Sequence, residues 1–140
     1  DSTSRDGMDI AICALNKNSK ELEYAGAFNP LYLLREGELI QYKADKFPIG
    51  SYLDNKKKTF TNNKIKLKKG DQVYIFSDGY ADQFGGPRGK KFMYRRFREL
   101  LIENEHEKPS QQKNKLLDSL YNWMRDEEQV DDILVMGVRV

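Results

Sequence analysis

The stretch Val73-Tyr74-Ile75-Phe76-Ser77-Asp78-Gly79-Tyr80-Ala81-Asp82 decides how the chain is read. Val73 to Phe76 is an unbroken apolar run, the pattern of a strand buried on both faces. It stops at Ser77-Asp78-Gly79, so a carboxylate sits where a core strand ends and a glycine lets the backbone turn away. A second acidic pair, Asp131-Asp132, opens the last apolar run, Ile133 to Val140. If the two runs are antiparallel neighbours, Asp78 and Asp131 lie at one edge. Asp82 follows Asp78 by four residues and shares its face if a helical turn begins at Gly79. Three convergent carboxylates repel unless a cation sits among them, and an all-oxygen set suits magnesium or manganese. The plainer alternative is an ordinary Asp-Gly turn with acids on a wet surface. Spacing alone leaves both open.

Composition narrows the chemistry. The chain has 140 residues, the length of one domain, with 39% hydrophobic and 33% charged residues. A formal charge of +2 gives no nucleic-acid footprint, and Arg95, Arg96 and Arg98 read as the wet face of a helix. No apolar run is long enough to span a bilayer and no signal-peptide pattern opens the chain, so a cytoplasmic setting is expected. Cys13 is the single cysteine and reads as a buried structural thiol. His106 is the single histidine, in a polar stretch, which argues against multi-histidine zinc sites and nucleophile triads. Acids must carry any catalysis.

On the N-terminal side of the deciding stretch the pattern is that of strands. Ile10 to Leu15 reads as a buried strand, Glu21 to Ala27 as its hairpin partner, and Leu31–Leu34 and Leu39–Tyr42 as two more, together an antiparallel meander. Lys56-Lys57-Lys58 reads as a solvated hairpin tip, and Phe60, Ile65 and Leu67 as inward residues of the next strand. On the C-terminal side, Phe84 to Lys91 is glycine-rich and reads as a mobile loop. Helices are expected over Phe92–Ile102 and from Pro109, the second with the stripe Leu116, Leu117, Leu120, Trp123 and Met124. A long helical connection returns the last strand to the sheet.

Four stretches carry a resemblance: Tyr24-Ala25-Gly26-Ala27-Phe28-Asn29-Pro30-Leu31, Phe47-Pro48-Ile49-Gly50, Phe76-Ser77-Asp78-Gly79-Tyr80-Ala81-Asp82-Gln83 and Asp131-Asp132-Ile133-Leu134-Val135. In this order they resemble the C-terminal part of the metal-dependent serine/threonine protein phosphatases of type 2C, in the bacterial branch of the sporulation phosphatase SpoIIE and the stress phosphatase RsbU. The resemblance implies an α+β fold: a partial β-sandwich, mainly antiparallel, with two helices before the last strand. It implies that Asp78 and Asp131 are ligands of a two-metal Mn2+ or Mg2+ centre, with Asp82 helping to hold a further ion. The implied reaction is hydrolysis of phosphoserine or phosphothreonine by metal-activated water. The implied partners are a phosphorylated anti-sigma-factor antagonist as substrate and an upstream sensory or regulatory domain.

The family's first metal motif is expected upstream of Met8, and Asp6-Gly7-Met8-Asp9 reads as a loop acid pair instead. Residues 1–140 are therefore expected to be a single domain, the later part of a phosphatase domain that lacks its early strands. Alone, such a piece is expected to bind metal weakly, to show little or no activity, and to expose a sheet edge that invites a homodimer. The rival expectation is a non-catalytic interaction or regulatory module that keeps the fold. The sequence upstream of Asp1 discriminates the two.

Overall fold

In a computed structural model of the chain, which describes residues 6–50 and 58–140, the strand expected at Val73–Phe76 is an inner strand of an antiparallel sheet. The elements in chain order are β1 (Gly7–Met8), β2 (Ile10–Asn16), β3 (Glu21–Ala27), β4 (Leu31–Arg35), β5 (Glu38–Tyr42), β6 (Ile49–Gly50), β7 (Asn63–Lys66), β8 (Gln72–Phe76), α1 (Gly79–Asp82), β9 (Phe84–Gly85), β10 (Lys90–Lys91), α2 (Met93–Glu103), α3 (Pro109–Met124) and β11 (Val135–Arg139). One sheet runs β11-β8-β4-β5 and a second runs β2-β3-β7, both antiparallel.

Period-two alternation explains why the central strands are apolar throughout. Tyr32, Leu34, Tyr74 and Phe76 point to the helices, where Phe97, Leu101 and Leu120 meet them. Leu31, Leu33 and Val73 point the other way, onto Leu22, Tyr24, Ile65 and Leu67 of the second sheet and its flank. The layers are thus helix, sheet, sheet, and β4 and β8 form the middle. Burying each such side chain contributes about 1.5–3 kcal/mol, so these two strands anchor both cores. Pro109 begins α3, where its missing N–H costs nothing.

The ends of the two apolar runs are fixed by different chemistry. At the start of β8, Asp71 is only 2% exposed. Its carboxylate takes Arg35 Nε at 2.9 Å and Nη2 at 2.6 Å, and accepts the Lys68 N–H at 2.7 Å. Burial alone would raise this carboxyl, but the Arg35 guanidinium and the Lys68 amide outweigh it and hold it below its usual range. Gln72 Nε2 donates to the Glu105 carbonyl at 2.7 Å, which ties β8 to the turn between α2 and α3.

Several expectations need correction. The first four strands do not form a meander: β3 and β4 belong to different sheets, and the chain changes sheet at Asn29-Pro30, where proline offers no N–H to a ladder. The run Ile10–Leu15 is not buried; β2 is a sheet edge and Ile12 is 61% exposed. Cys13 is accordingly half-buried, which still pushes its thiol upward. β11 is likewise an edge strand, with Met136 51% and Val138 48% exposed. An apolar run shows what a strand can bury, not what is present to cover it.

A further correction concerns Phe84–Lys91, which closes into the β9–β10 hairpin rather than an open loop. Gly86 adopts φ +70°, donates its N–H to the Trp123 carbonyl at 2.8 Å, and leaves no room for a Cβ against the Trp123 ring. Asp6-Gly7-Met8-Asp9 is not a free loop either, because Gly7–Met8 pairs with Ile49–Gly50. Asp6 and Asp9 flank it, both exposed. Asp1–Arg5 and, apart from Lys58, the Lys56-Lys57-Lys58 run lie outside the described residues.

Candidate metal centre

β8 and β11 are antiparallel neighbours with Phe76 opposite Val135, so the acids that follow one strand and precede the other meet at one edge. Ser77 welds the junction. Its N–H donates to the Leu134 carbonyl at 3.0 Å, its hydroxyl donates to the Asp132 carbonyl at 2.7 Å, and its oxygen accepts the Leu134 N–H at 3.0 Å. Gly79 is required by the same approach, because a Cβ there would fall on the Asp132 carbonyl oxygen. The small residues on either side of Asp78 therefore exist to bring the Asp131 segment close.

Asp78 occupies the position just before α1 without a side-chain capping bond, and the Asp82 N–H donates to its carbonyl at 2.9 Å, the helical turn that the four-residue spacing predicts. The Asp78 carboxyl is pushed above its usual range. Burial is the largest cause, followed by the charges of Asp131 and Asp82 and a side-chain hydrogen bond with Asp131. Asp131 is exposed, and its Oδ1 accepts the Asp132 N–H at 2.7 Å. Asp78 and Asp131 are thus a close pair of like charges. Asp82 lies beside them but is turned to Lys91, whose Nζ stands 3.2 Å from its Oδ1.

Two neighbours escaped the sequence reading. Lys91 was assigned to a glycine-rich loop, and only the hairpin brings it back to Asp82. Tyr94 stands on α2 with its hydroxyl pushed up to about 12, by burial first and then by Asp78 and Asp82. Nothing in the sequence around Tyr94 distinguishes it from the other aromatic residues of the helix.

Among the described residues, no group of three or more His, Cys, Asp or Glu side chains is arranged to hold a metal ion. The donor set that does converge, Asp78 with Asp131, is all oxygen and doubly negative. Such a pair fits a hard cation that keeps most of its water, the habit of magnesium, and is too few for a fully protein-built cage.

The family model described as Stage II sporulation protein E (SpoIIE) matches residues 2–140. Among solved structures, the SiaA-PP2C domain of Pseudomonas aeruginosa is 27% identical with a TM-score of 0.85, and the match covers 94% of this chain and 51% of that one. The PP2C phosphatase domain of SpoIIE from Bacillus subtilis, with a fragment of its regulatory domain, is 18% identical with a TM-score of 0.74, covering 94% and 37%. The RsbU and RsbW domains of a Mycobacterium tuberculosis protein are 19% identical with a TM-score of 0.67, covering 94% and 35%. The latter two likenesses show the fold. No curated protein sequence matches the chain. The chain spans about half the length of the SiaA-PP2C domain, and its layers are a partial type 2C phosphatase fold. With residues 2–140 matched, the chain belongs to the SpoIIE family of PP2C-type phosphatase domains.

Proposed function

We propose that this chain is the later part of a phosphatase domain that removes phosphate from phosphoserine or phosphothreonine of a signalling protein. The observation that carries this reading is the convergence of Asp78 and Asp131 across the β8–β11 junction. These two carboxylates would hold Mn2+ or Mg2+, and Asp82 would support a further ion once released from Lys91. A cation held there supplies charge stabilisation to phosphoryl oxygens and acidifies its water toward neutral pH. The protein's own part is to bring the carboxylates together where β8 ends and the segment leading into β11 begins, with Tyr94 beside Asp78 and Lys91 on Asp82.

The substrate is read as a phosphorylated anti-sigma-factor antagonist, in line with the RsbU and RsbW domains of one structural neighbour. An upstream sensory or regulatory domain in the parent fits the regulatory fragment of another. A cytoplasmic setting agrees with this signalling role; among the described residues no helix is long and apolar enough to cross a membrane.

The chain alone is expected to be nearly inactive. Titration with manganese should show no tight site, and an aryl phosphate should be hydrolysed only by the longer parent domain. A micromolar two-site isotherm on this chain would overturn that expectation. The bare edges of β2 and β11 suit a homodimer, so sedimentation should show mass rising with concentration; a strict monomer would count against it. The second reading, a non-catalytic regulatory module, draws on the absence of a three-acid group among the described residues. Metal-dependent turnover by the parent excludes it.

A further inference from the structure

The segment between α3 and β11 carries Asp131 yet belongs to no helix or sheet. Something other than a hydrogen-bond ladder must fix it. Its Asp132 end is held by the Ser77 hydroxyl. Its Glu128 end is held by Gln83, whose Nε2 donates to the Glu128 carbonyl at 2.9 Å and to the Phe84 carbonyl at 3.1 Å. Between these points, Gln129 Nε2 donates to the Asp131 carbonyl at 2.8 Å. Both outer holds thus come from the one stretch that also supplies Asp78 and Asp82.

Gln83 is built for this. It is wholly buried, at 0% exposure. Its backbone carbonyl accepts the Phe92 N–H at 2.9 Å and Trp123 Nε1–H at 3.0 Å, so it cannot shift without moving α2 and α3. Its side-chain Oε1 has no partner among the described residues. Buried acceptors are almost always satisfied, so an orphan calls for an explanation. Both groups facing Nε2 are carbonyl oxygens; turned over, the amide would set Oε1 against two acceptors. The side chain gives up its own acceptor to keep two donors on the backbone.

We propose that Gln83 is a positioning residue: its amide clamps the Glu128 carbonyl so that the segment from Glu128 to Asp132 presents Asp131 to Asp78. The proposal rests on the metal-site reading for its chemical purpose, while the clamp itself is read independently of metal. Gln83→Met keeps the length of the side chain, removes both donors, and also removes the orphan acceptor. The change leaves the Glu128 and Phe84 carbonyls without these donors, so a stabilising role would loosen the whole fold and a positioning role the Glu128–Asp132 segment.

The test compares amide hydrogen exchange in Gln83→Met and the unaltered chain. Asp132 and Leu134 amides should exchange about tenfold faster or more, while those of β3, in the other sheet, stay unchanged. In the intact parent domain, manganese affinity read by electron paramagnetic resonance should fall about 10- to 100-fold, as for losses of groups that orient metal ligands. Unchanged exchange at Asp132 and Leu134, or equal acceleration throughout both sheets, would overturn the clamp. Local loosening in an intact parent domain that binds no manganese even when unaltered would uphold the clamp and sink the metal reading. If Gln83→Met does not fold, the unaltered chain decides: slowly exchanging Gln83 side-chain protons with cross-peaks to the Glu128–Gln129 backbone support the clamp, and fast exchange without them refutes it.

Discussion

Asp78→Asn and Asp131→Asn, each made in an intact phosphatase domain that contains this chain, should lower manganese-dependent hydrolysis of an aryl phosphate by about 10³-fold. The expectation follows from the loss of several kcal/mol of charge stabilisation, at about 1.4 kcal/mol per factor of ten. Asp82→Asn should cost far less, because Asp82 is already partnered by Lys91. The same change should act on stability in the opposite direction. Burial and the charges of Asp131 and Asp82 hold the Asp78 carboxyl above its usual range, so its ionised form opposes folding when no cation is present. Metal-free Asp78→Asn should therefore melt higher than the unaltered chain while its parent enzyme fails. Stability stored against function in this way is expected of sites that crowd like charges. Rates unchanged in both mutants would sink the site assignment.

Arg35→Met should be the most damaging single change to the fold. It leaves the Asp71 carboxylate, 2% exposed, without its guanidinium. Breaking a buried pair from one side costs about 3–5 kcal/mol; the lower end applies, because Arg35 itself keeps some contact with water. Urea denaturation at pH 7 measures it directly. The pH dependence gives a second signature. In the unaltered chain the folded Asp71 carboxyl lies below its unfolded value, so its contribution is fully present above about pH 3.9 and is lost as pH falls through the folded value. Without Arg35, burial is the largest remaining influence and raises that carboxyl, so acidification should stabilise the variant. The gap between the two proteins should then narrow toward acid pH. A gap that is flat with pH would show that Arg35 matters through its packing alone.

The sequence was most legible where one residue type has one physical use. Val73–Phe76 could only be buried on both faces, and β8 is. The Asp78–Asp82 spacing predicts a helical turn, and α1 supplies it. Two apolar runs and a helical return leave the pairing of β8 with β11 as one option, and the register realises it. Legibility failed where the answer depends on a neighbour. Ile10–Leu15 and Ile133–Val140 have the composition of inner strands, yet both lie at edges. The meander expected over the first four strands breaks at Asn29-Pro30, which carries the chain between two sheets. Lys91, Tyr94 and Gln83 carry no local mark of the site; they reach it through a hairpin, a helix face and a buried amide.

The place of β8 between β4 and β11 also sets a timetable for folding. The hairpin of β4 and β5 needs only a short turn to close, whereas β11 must return to β8 across the length of both helices. Pairings so distant along the chain form late and slowly, because loop closure must precede any reward from contact. Asp131 arrives with that last strand, so the carboxylate pair forms near the end of folding rather than at its start. Until then Asp78 stands alone and its like-charge partner is distant. A divalent ion then has little to grip on the nascent chain. Manganese should therefore slow the unfolding of the finished protein and leave its rate of folding almost unchanged.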